Sequence, residues 1–255
     1  MLKLQEVSKH FGGVKAIQKV SFELQANTIF GLIGPNGAGK TTLFNLISGT
    51  LKVSKGKIYF QNQDITHLPA YKRSRLGITR TFQNLSLYPD LTCLENVLLG
   101  AASWIRPKLK DLFVFNSREY KQLQKQAREF LDLVGLKEKE KLSPSQLSYG
   151  HQRKLEIARC LMSKPRLLLL DEPAAGLNNQ ESHELANLLA FLKKELNLTL
   201  LIIEHDMDII MSISDEILVL IEGKPFIQDT PKNVQKNPEV IKAYLGEEDI
   251  FADIA

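Results

Sequence analysis

Residues Gly34-Pro-Asn-Gly-Ala-Gly-Lys-Thr41 fit the pattern G-x-x-x-x-G-K-[ST]. Glycines without a Cβ let a backbone bend tightly and approach a polyphosphate closely. The N–H groups of such a loop, and of the helix it opens, then point at negative oxygens. Lys40 suits the β- and γ-phosphates as a point charge, and the Thr41 hydroxyl suits Mg²⁺. Gly34, Pro35, Asn36, Gly37, Ala38, Gly39, Lys40, Thr41 and Thr42 are therefore candidate nucleotide-binding residues. A glycine turn that matches by accident is the plain alternative. The flanks weigh against it: Thr28–Ile33 reads as a buried strand, and Thr42–Ser48 reads as a helix closed by Gly49.

Two strand ends carry further chemistry. Asp171 follows four leucines, Leu167–Leu170. A carboxylate at the C-terminal end of a buried parallel strand faces the crevice where such sheets hold ligands, which suits the outer coordination sphere of Mg²⁺ opposite Thr41. Glu172 beside it is the candidate general base for an attacking water. An Asp-Glu pair opening a turn before Pro173 is the alternative, and the phosphate loop upstream favours the functional reading. His205 ends the apolar strand Leu198–Ile203 at the same level, placed to hydrogen-bond a γ-phosphate; a structural histidine is the alternative. Gln83 ends a strand read over Ile78–Gln83 and either touches Mg²⁺ or the lytic water, or is simply solvated. In Leu147–Gln152, Ser148 and Gly150 open a helix running to about Ser163, where exposed N–H groups favour phosphate. Local chemistry alone prefers Ser148 as an ordinary cap. Phe11, upstream of the phosphate loop, either stacks on an adenine ring or packs in the core.

The elements that must position these groups are legible as patterns. Residues 2–8 and 17–24 read as strands by alternation. Gly56–Gln61 reads as a strand, Pro69–Leu76 as a short helix, and Leu91–Ala101 as a helix capped by Thr92. Residues 104–115 are irregular. Asn116–Val134 has apolar residues at Leu123, Ala127, Phe130, Leu131 and Val134, the spacing of a helix. The runs at Leu167–Leu170 and Leu198–Ile203 are continuously apolar, as in a parallel sheet covered on both faces. A helix at Gln180–Leu196 joins them. Ile217–Ile221 and Pro225–Ile227 flank a hairpin turn at Glu222-Gly223-Lys224, Asn237–Leu245 reads as a last helix, and the acidic tail begins at Gly246.

Composition is that of an ordinary globular α/β protein: 255 residues, 44% hydrophobic and 24% charged. A net charge of +4 spread along the chain is too weak to argue for nucleic acid. The two cysteines, Cys93 and Cys160, lack metal-ligand spacing; Cys160, on a helix among apolar residues, reads as a buried free thiol suited to a reducing cytosol. No signal peptide is read at the N-terminus, and no apolar run approaches the roughly 18–20 residues that span a bilayer, so any membrane role is expected to come through partners.

Together, the phosphate loop, Gln83, Leu147–Gln152, Leu167–Glu172, Ala175-Gly-Leu-Asn178 and His205 resemble the Walker A, Q-loop, signature, Walker B, D-loop and H-loop of ABC-type ATPases, in order and spacing. Arg80-Thr-Phe-Gln83, Gln152–Cys160, Glu172–Asn178, Ile203–Met207 and Ala243-Tyr-Leu-Gly246 are similar to the LivG-type ATP-binding subunits of bacterial branched-chain amino acid importers. The resemblance implies a P-loop NTPase fold over residues 1–246. It would have a RecA-like parallel-sheet core, an N-terminal antiparallel β subdomain, a helical subdomain inserted at about 84–160, and an acidic tail at 247–255. It implies ATP and Mg²⁺ as cofactors, with Thr41, Gln83 and Asp171 at the metal and Glu172, Gln83 and His205 in catalysis. It also implies head-to-tail closure with a second ATPase subunit, the same chain or a different one, in which Ser148 and Gly150 serve the partner's ATP. Permease subunits would dock on the helical insert, an extracytoplasmic binding protein would deliver solute, and the chain would sit peripherally on the cytoplasmic face of the bacterial plasma membrane. Tyr149 and His151 depart from the usual Leu-Ser-Gly-Gly-Gln, and a bulky Tyr149 is expected to re-aim that backbone. Asn178 stands where Asp is common. The competing readings are the same role for urea, amides or other neutral amino acids, a soluble ABC ATPase of repair or translation, and a phosphate-loop kinase or GTPase. The last two lack their own marks here: coiled-coil arms, zinc-ligand cysteines, tandem cassettes, or an N-K-x-D element.

Overall fold

The computed structural model describes residues 1–81, 85–103 and 118–244. Two sheets organise it. The first is antiparallel, in the order β2-β1-β4-β5, from β1 (Leu2–Phe11), β2 (Val14–Leu24), β4 (Lys55–Phe60) and β5 (Gln63–Asp64). The second runs β10-β9-β3-β8-β7-β6, from β3 (Ile29–Ile33), β6 (Ile78–Arg80), β7 (Leu167–Asp171), β8 (Thr199–Ile203), β9 (Glu216–Ile221) and β10 (Lys224–Asp229). Its pairings are parallel except β9 with β10, which is the expected hairpin. This is the α/β class read from the sequence, with a parallel core beside an N-terminal antiparallel sheet.

Strand alternation explains why the apolar runs are unbroken. Leu168 and Leu170 of β7 and Leu200 and Ile202 of β8 enter one core. Leu167, Leu169, Leu201 and Ile203 face the opposite way and enter a second. The second core lies between the two sheets and contains Leu43, Phe44, Leu46 and Ile47 of α1 (Lys40–Ser48). The first is shared with α3 (Cys93–Leu99), α4 (Arg118–Leu133), α5 (Tyr149–Met162), α6 (Asn179–Leu196) and α7 (Met207–Ile213). The helix that opens at the phosphate loop is thus clamped by sheets, while the segment between β6 and β7 supplies α3, α4 and α5.

Several boundaries differ from the sequence reading. The β1–β2 hairpin is longer at its tip, because Phe11 pairs with Val14 across Gly12-Gly13. Thr92 caps α3 through a full capping box with Glu95, as expected. The short helix α2 (Ala70–Arg75) is present, while β5, α7 and α8 (Pro231–Gln235) were not anticipated. The last helix, α9, is seen at Pro238–Tyr244. Gln83, residues 104–115 and the acidic tail lie outside the described residues. Both cysteines are free and buried, and burial pushes the Cys160 thiol up to about 12.

Candidate active site

The phosphate loop leaves the C-terminal end of β3, which is packed between β8 and β9. A Cβ on Gly34 would collide with the Leu220 carbonyl oxygen, and one on Gly39 would lie 2.6 Å from the Ala16 carbonyl oxygen. Only glycine lets the loop seat this closely against β9 and β2. A hydrogen bond from the Gly223 N–H to the Ala38 carbonyl oxygen (3.0 Å) pins the loop to the β9–β10 turn. Gly37, by contrast, faces open space. Pro35, Asn36 and Ala38 complete the turn, with Asn36 exposed and Ala38 buried. Lys40 opens α1 and is 6% exposed; its Nζ donates to the carbonyl oxygens of Gly34 (2.5 Å) and Pro35 (3.1 Å), so the ammonium curls back over the loop. Thr41 is exposed and Thr42 half-buried in the same first turn. The result is a cradle of backbone N–H groups, one ammonium and two hydroxyls at a helix N-terminus, a donor set that fits a polyphosphate.

The sheet register brings the carboxylates to the same edge. Leu32 pairs with Ile203, and Ile203 pairs with Asp171. The ends of β3, β8 and β7 therefore lie level, with β8 in the middle. Asp171 is 2% exposed, and its Oδ2 accepts from Arg80 Nη2 at 2.7 Å. Glu172 adopts φ 48°, a left-handed conformation uncommon for a non-glycine residue, while its N–H donates to the Ile203 carbonyl oxygen (2.9 Å). That turn swings its side chain toward β8, where Oε1 lies 2.8 Å from His205 Nε2. The structure thus joins Glu172 and His205 as a pair, which the sequence reading had given separate tasks.

A third acid, Glu204, was missed. It is buried, and its carboxylate accepts from the Ala174 N–H (2.7 Å) and the His205 N–H (3.1 Å). Burial raises its pKa, and these backbone donors pull it partly back. It ties the turn after Glu172 to the turn that carries His205. Asp206 then caps α7 by accepting from the Ile209 N–H. The signal for this helix was present: an Asp followed by an apolar run.

Ser148 and Gly150 belong to a different corner. Ser148 is the N-cap of α5, accepting from the His151 N–H (3.4 Å), and its Oγ lies 2.9 Å from His151 Nδ1. The cap reading is therefore borne out. Tyr149 does not re-aim the helix start: Ser148 keeps an extended N-cap conformation, φ −61° and ψ 159°. The tyrosine instead accepts a hydrogen bond from Arg153 Nη2 at its hydroxyl (2.9 Å). Its ring would meet a Cβ on Gly176 at 3.2 Å. A small cavity of about 170 Å³ is lined by Ser148, Gly150 and His151 of this corner and by Leu177, Glu181 and Glu184 at α6, and by no phosphate-loop residue. Asn178 caps α6 with Glu181 in a capping box, a role that Asp would fill equally well. Phe11 is 46% exposed at the hairpin tip with Lys9 Nζ 4.8 Å from its ring centroid, so it is not a core residue.

A family model described as ABC transporter matches residues 17–175, and one described as branched-chain amino acid ATP-binding cassette transporter matches residues 228–250. The high-affinity branched-chain amino acid transport ATP-binding protein BraF of Pseudomonas aeruginosa is 41% identical over 97% of this chain and 98% of that protein. The chain belongs to the ABC transporter family. The high-affinity branched-chain amino acid transport ATP-binding protein LivG of Escherichia coli K12 matches at 41% identity over the same shares of the two chains. Among solved structures, the ADP conformation of MJ1267, an ATP-binding cassette of an ABC transporter, superposes with a TM-score of 0.86 at 33% identity over 97% of this chain and 99% of that one. MJ0796, a bacterial ABC transporter cassette solved as a dimer, gives 0.76 at 28% identity, with 91% and 99% covered. The ATP-binding cassette fold is thus established for this chain, and as a member of the family it is an ATPase.

Proposed function

We propose that this chain is the ATP-binding and ATP-hydrolysing subunit that energises a membrane importer of branched-chain amino acids. The observation that carries the reading is 41% identity along nearly the whole length of two proteins named for that transport, joined by the branched-chain match at residues 228–250. None of the described helices is long and apolar enough to cross a membrane. The chain therefore works with permease subunits, and we place it peripherally on the cytoplasmic face of the bacterial plasma membrane. An extracytoplasmic binding protein supplies the solute.

In this reading the loop N–H groups and Lys40 hold the β- and γ-phosphates, Thr42 adds a donor, and Phe11 stacks on the adenine. Thr41 in the first turn of α1 and Asp171 at the end of β7, both oxygen donors, would hold Mg²⁺ together with Gln83. Held by these residues, the ion would supply neutralisation of the triphosphate's charge. Glu172 takes the proton of the attacking water as its oxygen bonds to the γ-phosphorus and the bond to the bridging oxygen breaks, leaving ADP and phosphate. His205, 2.8 Å from Glu172, orients that carboxylate and contacts the γ-phosphate. Gln83 positions the water. Ser148 and Gly150 face the ATP of a second cassette, so two cassettes close on two nucleotides.

Uptake of labelled leucine, isoleucine and valine tests the assignment in cells lacking this chain. Wild type is expected to restore uptake and Glu172→Gln is not. Undiminished uptake without the chain would overturn the solute assignment.

A further inference from the structure

Arg80 is not accounted for by the roles above, yet it touches Asp171. It ends β6, where it pairs in register with Leu169 on β7. Its guanidinium makes two bonds in different directions. Nη2 donates to Asp171 Oδ2 at 2.7 Å, and Nη1 donates to Asn45 Oδ1 at 2.5 Å. The group also lies 5.7 Å from the centroid of the Phe44 ring. Its side chain is 14% exposed and that of Asp171 2%, so the pair is barely screened by solvent.

Asn45 is the key to the arrangement. It follows Thr41 by four residues on α1, and residues four apart lie one above the other on the same helix face. Arg80 therefore bridges Asp171 to the position one turn below the Thr41 hydroxyl. The separation between the threonine oxygen and the carboxylate, which come from distant parts of the chain, runs through this bridge. Committing Oδ2 to the guanidinium leaves Oδ1 for a cation. A planar fork suits two acceptors in fixed directions; a lysine ammonium supplies the charge without that geometry.

We propose that Arg80 is a positioning residue: it clamps Asp171 to α1 and thereby sets the affinity of the nucleotide site for Mg²⁺. The proposal rests on the reading of Asp171 as the magnesium carboxylate. Losing a partner that orients a metal-binding group costs about 10–100-fold in metal affinity where it has been measured.

The test is ATP binding by purified wild type, Arg80→Met, Arg80→Lys and Asn45→Ala, in EDTA and then along a Mg²⁺ titration. In EDTA all four are expected to bind ATP within about twofold of one another, since the loop and Lys40 are untouched. The Mg²⁺ concentration for half-maximal gain in affinity is expected to rise about tenfold in Arg80→Met. It should rise less in Arg80→Lys and Asn45→Ala, which each keep half of the clamp, and saturating Mg²⁺ should recover wild-type affinity. Should Arg80→Met fail to fold, the smaller shift in the other two variants decides. An unchanged Mg²⁺ requirement in folded variants overturns the proposal, as does a parallel loss of affinity in EDTA, the mark of a merely structural ion pair. A wild type that gains no ATP affinity from Mg²⁺ overturns the Asp171 reading itself, and the clamp with it.

Discussion

Two helix starts in the molecule, those of α1 and α5, are built differently. At the sheet edge, α1 opens beneath a glycine loop pressed against β2 and β9, with Asp171, Glu172 and His205 at level strand ends nearby. At the signature corner, α5 opens on Ser148 among its own helix neighbours, and the adjoining cavity takes its walls from α5 and α6. The first corner assembles a glycine loop, an ammonium, two carboxylates and an imidazole from three separated stretches of one chain. The second has the Ser148 cap beside His151, Lys154, Glu181 and Glu184, with Lys154 paired to Glu184. The two helix starts are thus distinguishable by what converges on each.

Substitutions at the two corners should separate them. Glu172→Gln keeps a hydrogen-bonding partner for His205 but removes the proton acceptor. It is expected to cut ATP turnover about 10²–10⁴-fold while leaving ATP binding intact, measured as phosphate release beside a nucleotide titration. Turnover at wild-type rates in the full complex would take Glu172 out of the mechanism. Ser148→Arg should do the reverse: this chain's own affinity for ATP stays within about twofold, because the phosphate loop makes its bonds without α5. ATP-dependent association with a second cassette should be lost, which sedimentation would show. A drop in the chain's own ATP affinity would mean that the corners are not independent.

Two smaller effects sharpen the comparison on the α6 side. Asn178→Ala removes the acceptor for the Glu181 N–H and is expected to cost about 1 kcal/mol. That lowers Tm by about 2–4 °C for a chain of this size, read by calorimetry. His151 titrates below its ordinary 6.5 because of burial and then the cations Lys139 and Lys154, with Glu181 and Glu184 opposing. Between the depressed value and 6.5 the unfolded chain binds more protons than the folded one, so stability falls as pH drops through that window. His151→Gln should flatten that part of the stability–pH curve; an unchanged slope would assign it to another group.

What was legible in the sequence followed chain-local chemistry. The strand–glycine loop–helix unit, the leucine run ending at Asp171 and the cap at Thr92 each carry their signal within one continuous stretch of about twenty residues or fewer. The pairing of Glu172 with His205, the Glu204 tie and the Arg80 bridge to Asn45 and Asp171 do not, because they join residues from different strands and helices. Which strands are neighbours decides them, and alternation within a strand says nothing about its neighbour. The seven-residue α7 was missed for another reason: two turns are too short for the apolar period to stand out from a buried strand. Phe11 was left open between stacking and core packing, and the exposed hairpin tip places it outside the core.

The central claim is that α1 and its loop bind the triphosphate, and Lys40 tests it most directly. Titration of Mg·ATP into purified wild type and Lys40→Ala, with circular dichroism to show that both are folded, isolates the ammonium's contribution. The account predicts saturable binding by wild type and an affinity weaker by about tenfold or more in the variant, the scale of a lost charge-assisted hydrogen bond. Equal affinities in two folded proteins would contradict it.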